Sequence, residues 1–165
     1  VWRNSTAVEG DVLVLSKPLG SGTLTTGIKK GVVEAAVAAE AVTLMSTLNA
    51  GAANAGREVG IHAATDVTGF GLLGHAIEMA DGSGLGLELD VTSLPVMDAA
   101  WQTLEQGIAP GATRRNLEHS GARVQWDASV NDRERKILGD PQTSGGLLFA
   151  VAEEKVDLLL DAMNK

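Results

Sequence analysis

Residues 61–80 read IHAATDVTGFGLLGHAIEMA, and this stretch decides the fold. Ile61 to Asp66 predicts a short β-strand that ends on a carboxylate. Leu72 to Ala80 has apolar residues at helical spacing and predicts an α-helix stopped by Asp81-Gly82. A Thr-Gly-x-Gly turn joins the two. The unit is therefore strand, glycine turn and helix.

The same alternation of strands and helices extends in both directions along the chain. Further strands are predicted at Gly10–Ser16, Leu85–Asp90 and Gly145–Val151, and helices at Val32–Leu48, Met97–Gln106, Arg133–Leu138 and Glu153–Met163. Asn49–Gly60 carries less signal and is consistent with a further helix that ends at Gly60. We therefore expect an α/β (α+β) fold in which one mixed β-sheet is covered by helices, forming a single domain over residues 1–165.

Composition limits the classes of function. The chain has 165 residues, a net charge of −8 and no cysteine. The acidic balance argues against nucleic-acid binding, and the lack of cysteine excludes disulfides, Cys-ligated zinc and a Cys nucleophile within this chain. The apolar run from Leu147 to Ala152 is far shorter than the roughly 20 residues that span a bilayer. We expect a cytoplasmic protein with no membrane partner.

The Thr65–His75 segment is the first candidate ligand site. A helix N-terminus after a glycine turn offers free N–H groups to a phosphate, and Gly69 and Gly71 let the backbone approach the anion. Asp66 beside a phosphate is suited to Mg²⁺, which takes one or two carboxylates together with phosphate oxygens and water. The alternative is that Asp66 or Thr68 only caps the helix.

Two other glycine-bearing segments are less specific. Residues 139–146, GDPQTSGG, carry polar side chains that could line a pocket, although Asp-Pro also opens ordinary turns. In residues 16–23, SKPLGSGT, Lys17 could meet a phosphate as a point charge, or the segment could be a plain strand-to-helix loop. His62, His75 and His119 lack metal-ligand spacing and are interpreted as structural or solvated.

Taken in order, these segments resemble one family, selenophosphate synthetase (selenide, water dikinase). The resemblance rests on Gly10–Gly22 (GDVLVLSKPLGSG), Ala64–Ala80 (ATDVTGFGLLGHAIEMA), Pro110–Asn116 (PGATRRN) and Asp140–Val151 (DPQTSGGLLFAV). It covers nearly the whole chain. The wider superfamily includes aminoimidazole ribonucleotide synthetase and thiamine-monophosphate kinase, which share a two-domain plan and act on ATP.

The resemblance implies a transferase of selenium metabolism, a kinase that makes selenophosphate from selenide, ATP and water and releases AMP and phosphate. It implies that this chain is the C-terminal domain. The N-terminal domain would carry the Cys or selenocysteine nucleophile, a Lys and most of the aspartates that hold Mg²⁺ and ATP. The full-length protein would be a homodimer, and the final strand of the sheet would follow Lys165. The isolated domain is expected to be inactive.

The resemblance also implies site residues. Asp66 would bind Mg²⁺, and Thr65, Thr68, Gly69 and Gly71 would form the loop on the phosphate side of ATP. Lys17, Thr143, Ser144, Gly145 and Gly146 form a weaker pocket-lining group, whose role could instead be to hold loop geometry. The alternatives are another ATP-dependent enzyme of the superfamily and a non-catalytic interaction domain.

Overall fold

The computed structural model describes residues 1–164. The strands are β1 (Asp11–Leu15), β2 (Ala63–Asp66) and β3 (Leu147–Ala152). The helices are α1 (Ser21–Lys29), α2 (Ala35–Ser46), α3 (Ala50–Val59), α4 (Gly71–Ser83), α5 (Asp98–Glu105), α6 (Gly111–Ser120), α7 (Asp132–Gly139) and α8 (Val156–Met163). The predicted α/β class, a sheet covered by helices, is confirmed, but the three-stranded sheet is antiparallel and not mixed as predicted.

The sheet has the order β1-β3-β2, and both ladders are antiparallel. Leu13 pairs with Ala150 in one ladder, and Asp66 pairs with Leu147 in the other. Since β1 and β2 are both antiparallel to β3, they run in the same direction. The end of β1, the end of β2 and the start of β3 therefore meet at one edge, which we call the site edge.

Alternation along β3 divides the core between the two faces of the sheet. Leu148 and Ala150 pack into one cluster with residues of α1, α4, α5 and α7. Phe149 and Val151 pack into a second cluster with residues of α3 and α8. Most of β3 is buried, as expected for a central strand with helices on both faces.

The predicted strand at Leu85–Asp90 is wrong, since this segment has no regular secondary structure. Its leucines do alternate, but a strand also needs a neighbour to take up its backbone hydrogen bonds. A cavity of about 1080 Å³ lies between this segment and β1, and residues of the segment and of β1 line it. Leu89 packs against the core while Leu87 remains exposed, so the alternation reflects partial burial alone.

Helix α6 was not anticipated, because Pro110 and Gly111 at its start are typical of turns. Helix α4 passes through Asp81-Gly82 and ends at Ser83, where Gly84 adopts a left-handed conformation. The predicted helices at Val32–Leu48, Met97–Gln106, Arg133–Leu138 and Glu153–Met163 are confirmed with shifted ends. Within residues 1–164, no helix has the length and apolar character needed to cross a membrane.

Candidate functional site at one edge of the sheet

The site edge brings together the three segments that the sequence singled out. Lys17 follows β1, Asp66 ends β2, and the Asp140–Gly146 loop leads into β3. Backbone hydrogen bonds join them: the N–H of Val67 donates to the Gly146 carbonyl at 2.9 Å, and the N–H of Gln142 donates to the Thr68 carbonyl at 2.9 Å. The glycine turn after Asp66 is therefore fixed to the loop before β3.

The Asp140 side chain occupies the N-terminus of α1. Its carboxylate accepts from the backbone N–H of Gly22 at 3.1 Å and of Thr23 at 3.2 Å, and from the Thr23 hydroxyl at 2.8 Å. These are N–H groups that a helix leaves free at its start. A carboxylate of the protein itself thus fills this anion-binding position, so an external phosphate is not expected there.

Gln142 completes the same buried network. Its Oε1 accepts from the backbone N–H groups of Gly20 and Ser21 and from the Ser21 hydroxyl, while its Nε2 donates to the Asp140 carboxylate at 3.0 Å. The Ser21 hydroxyl also accepts from the N–H of Thr143. Residues 140–143 are therefore not a simple surface turn, because Asp140 and Gln142 are buried. They tie α1 to the site edge.

Burial raises the pKa of Asp140 to about 6, because desolvation penalises the carboxylate. The hydrogen bonds from Thr23, Gln142 and Gly22 favour the charged form and oppose this rise. Asp140 is 0% exposed, so the loss of hydration outweighs the hydrogen bonds. The network is consequently sensitive to pH near neutrality.

Lys17 lies beneath the loops of the site edge. It is 6% exposed, and its Nζ donates to the carbonyl of Thr47 at 2.6 Å and to that of Ser144 at 3.0 Å. Burial lowers the pKa of this ammonium. In this structure the charge of Lys17 holds the α2–α3 junction against the Asp140–Gly146 loop.

Asp66 has the opposite environment. Its side chain is exposed, and within residues 1–164 it has no hydrogen bond or ion pair. With Thr65 and Asn49 it lines a cavity of about 680 Å³, to which Leu147 and residues 1–5 also contribute. The Asp66 carboxylate, at the end of β2, is therefore available to an external cation.

The Thr68–Gly71 turn presents backbone groups. Helix α4 begins without a side-chain cap and has no acidic residue in its first turn, so neither Asp66 nor Thr68 caps it. The capping alternative for these two residues is wrong. The Thr68 hydroxyl instead contacts His75 Nε2 at 3.1 Å. Gly71 has φ +71°, and a Cβ there would lie 2.8 Å from the Leu138 carbonyl oxygen, so the fold itself requires glycine.

The glycines before β3 are set by close packing. A Cβ on Gly145 would lie 2.1 Å from the carbonyl oxygen of Val67, and one on Gly146 would lie 2.6 Å from the backbone nitrogen of Lys17. Ser144 has φ 50°. Thr143 and Ser144 are exposed, whereas both glycines are buried. The pocket-lining role of this group stays a prediction.

Asn49 and Asn116 also contact the site edge, although neither was predicted from the sequence to have a role. The Asn49 side chain donates to the carbonyl of Gly145 at 2.9 Å, and that of Asn116 donates to the carbonyl of Gly69 at 2.9 Å. Asn116 lies inside the PGATRRN motif, so that motif was the available signal. Asn49 directly precedes α3, where an asparagine ordinarily indicates a cap.

The donor set around Asp66 suits a hard cation such as Mg²⁺. The Asp66 carboxylate, the Thr65 hydroxyl and the Asn49 amide line one cavity, and Asn49 Oδ1 is buried without a partner among the described residues. Oxygen donors are those that Mg²⁺ prefers. Within residues 1–164, no three or more His, Cys, Asp or Glu side chains are clustered so that they could hold a metal ion. This chain offers one carboxylate, and further ligands would have to come from elsewhere.

Comparison with known proteins gives a family and named relatives. The family "AIR synthase related protein, C-terminal domain" matches residues 8–165. The chain is 44% identical over 165 residues to a selenide, water dikinase of Caldanaerobacter subterraneus subsp. tengcongensis, covering 100% of this chain and 48% of the relative. It is 49% identical over 152 residues to that of Pseudomonas aeruginosa, covering 92% of this chain and 43% of the relative. The chain spans about half the length of the curated relatives it matches.

Solved structures share the fold. The hydrogenase maturation protein HypE has a TM-score of 0.65 at 20% identity, covering 98% of this chain and 41% of that one. Thiamine-monophosphate kinase from Stenotrophomonas maltophilia K279a has a TM-score of 0.56 at 20% identity, covering 99% of this chain and 46% of that one. At these identities the likeness shows the architecture alone.

Proposed function

Because the chain belongs to the family of AIR synthase related protein C-terminal domains, we propose that it is the C-terminal domain of a selenide, water dikinase. The whole enzyme would phosphorylate selenide with ATP and water to give selenophosphate, AMP and phosphate. The observation that carries the proposal is 44% identity, over all 165 residues, to a protein named selenide, water dikinase. Residues 1–165 would form a single domain of a two-domain enzyme.

The proposed contribution of this domain centres on Asp66. Its exposed carboxylate, without an ion pair in residues 1–164, would hold Mg²⁺. When bound, the cation would neutralise charge on the ATP phosphates, which is the main demand of phosphoryl transfer. The phosphates would lie beside the turn formed by Thr65, Thr68, Gly69 and Gly71. Gly69 has no side chain that would keep a phosphate away from the backbone. Lys17 and residues 143–146 would act by holding this turn in place.

The remaining half of the longer protein would supply the rest of the site. An N-terminal domain carrying a Cys or selenocysteine, a Lys and further aspartates is proposed to pack against the site edge. ATP and selenide are the proposed substrates, and the full-length protein is proposed to be a cytoplasmic homodimer. One solved relative in fold, HypE, is described in complex with ATP, which supports ATP use. A single carboxylate and a few N–H groups predict only weak ATP binding by this domain alone.

A second candidate is another ATP-dependent enzyme of the superfamily, favoured by the structural likeness to thiamine-monophosphate kinase. The 20% identity to that enzyme is well below the 44% to a selenide, water dikinase. The two candidates differ in the nucleotide product: the first gives AMP and the second ADP.

The deciding experiment is phosphorus NMR of the intact two-domain protein with ATP, Mg²⁺ and selenide. We expect selenophosphate and AMP to form together. Omission of selenide is the control, and it should abolish selenophosphate. Formation of ADP with no selenophosphate would overturn the proposal in favour of a superfamily relative. Failure of the intact protein to turn over ATP with selenide would contradict the proposal.

A further inference from the structure

The PGATRRN motif at Pro110–Asn116 has no role in the site described so far. It forms the start of α6, and its last residue extends to the site edge. Asn116 Nδ2 donates to the Gly69 carbonyl at 2.9 Å and to the Gly139 carbonyl at 2.9 Å. One side-chain amide thus connects α6 both to the glycine turn after Asp66 and to the end of α7.

The bond to Gly69 fixes the direction of a neighbouring N–H group. A peptide unit is planar, and this chain has no cis peptide bond in the described residues. The carbonyl of Gly69 and the N–H of Phe70 therefore point in opposite directions. Since Asn116 holds the carbonyl toward α6, the Phe70 N–H is turned away from α6. No acceptor for this N–H is found in residues 1–164.

The preceding peptide unit is fixed in the same way. The Thr68 carbonyl accepts from the N–H of Gln142 at 2.9 Å and from that of Gly71 at 3.1 Å. The N–H of Gly69 must therefore point away from those donors, and it too has no acceptor in the described part of the chain. Gly69 and Phe70 are both exposed, so two consecutive N–H groups with fixed directions are open to a ligand.

We propose that Asn116 is a positioning residue, which holds the Gly69–Phe70 peptide so that its N–H can donate to a phosphate oxygen of ATP. This inference rests on the proposed function and adds a residue that acts through the backbone. An amide suits the task because its NH₂ group donates to two carbonyls at once. A carboxylate would only accept and would repel both carbonyls. A leucine of similar shape would leave the peptide free to rotate.

The test follows the Phe70 amide by ¹⁵N NMR in the intact two-domain protein during titration with MgATP. We expect the Phe70 signal to move in the native chain. In Asn116→Leu the initial change in the Phe70 chemical shift per unit of added MgATP should fall about tenfold. A tenfold loss of affinity corresponds to about 1.4 kcal/mol of binding free energy. Asn116→Gln retains both donors and should keep most of the response. Glu118→Gln, on the exposed surface of the same helix, is the matched control and should behave as the native chain.

The outcomes separate positioning from folding and from the proposed function. A native-like spectrum for Asn116→Leu with an unchanged Phe70 response would overturn the role of Asn116. So would a Phe70 signal that ignores MgATP in the native chain. If Asn116→Leu does not fold, Asn116→Gln decides, since a folded Gln variant without the response contradicts the donor argument. Selenophosphate formation by the intact protein tests the proposed function independently of these results.

Discussion

The Asp140 carboxylate accepts a hydrogen bond from the Thr23 hydroxyl at 2.8 Å, across a sequence separation of 117 residues. This bond joins the start of α1 to the loop that leads into β3. Because Asp140 also accepts from the first N–H groups of α1, the helix is capped from within the fold. Two helices begin beside the site edge. The first N–H groups of α1 are bound by the Asp140 carboxylate, whereas α4 begins without a side-chain cap.

The burial of Asp140 predicts an unusual dependence of stability on pH. Its pKa is raised to about 6 in the folded state, above the roughly 3.9 of an unfolded chain. Between these values the folded protein binds a proton that the unfolded chain does not, so this group's contribution to stability falls as pH rises from about 4 to about 6. The full difference is about 3 kcal/mol. Urea unfolding across this range measures it.

Asp140→Asn is the comparison that isolates this contribution. The variant cannot titrate at this position, so its free energy of unfolding should lack the component that declines above pH 4. Subtracting its pH profile from that of the native chain removes the other carboxylates. Parallel profiles for the two proteins would contradict the raised pKa.

The packing of Gly145 predicts a loss of stability in Gly145→Ala. The new Cβ would lie 2.1 Å from the Val67 carbonyl oxygen, so the backbone at the site edge has to move. Overpacking of this kind costs about 1–3 kcal/mol, measurable as a lower midpoint of urea unfolding. Stability equal to that of the native chain would show that the loop is not closely packed in solution.

Gly69→Ala is the reciprocal variant. A Cβ at Gly69 meets no atom within 4 Å, so the free energy of unfolding should change by less than about 0.5 kcal/mol. If Gly69 lets a phosphate approach the backbone, the same variant in the intact protein should raise the KM for ATP. An unchanged KM would remove Gly69 from the proposed site without affecting the account of Gly145.

The strand–turn–helix unit around Asp66 was predictable because its signals are local. A short apolar run, two glycines and helical spacing specify their own structure within twenty residues. Leu85–Asp90 had an equally local strand pattern, but the strand prediction was wrong. Among the described residues, no strand lies beside this segment to pair with it. Likewise, the sequence indicated that residues 139–146 are polar, but only the long-range contacts with α1 show that Asp140 and Gln142 are buried.

Lys17 shows a second limit of local reasoning. A lysine beside glycines is typical of phosphate contact, yet its ammonium contacts two backbone carbonyls beneath the surface. What decided its environment was the position of Thr47 and Ser144, far away in sequence. The roles of Asn49 and Asn116 could not be predicted for the same reason, because their partners Gly145 and Gly69 are distant in sequence.

Burial of Lys17 predicts a pH dependence of the opposite sign to that of Asp140. Its pKa is lowered in the folded state, so at alkaline pH the unfolded chain binds a proton that the folded chain has lost. This group's contribution to stability therefore increases as pH rises toward the ordinary lysine value of about 10.4. Lys17→Met, which retains the apolar stem, should lack that increase when unfolding is compared at pH 7 and pH 10. An identical increase in both proteins would contradict it.

Asp66 should separate function from folding most cleanly. Its carboxylate is exposed and contacts no partner in residues 1–164, so Asp66→Asn should unfold within about 0.5 kcal/mol of the native chain. In the intact protein the same change should abolish selenophosphate formation and weaken Mn²⁺ binding measured by electron paramagnetic resonance. Asp98 is an exposed carboxylate at the start of α5, so Asp98→Asn is the control and should leave both turnover and Mn²⁺ binding unchanged.

Normal turnover with normal Mn²⁺ binding in Asp66→Asn would remove Asp66 from the metal site. Loss of turnover with full Mn²⁺ binding would instead leave it a role on the phosphate side.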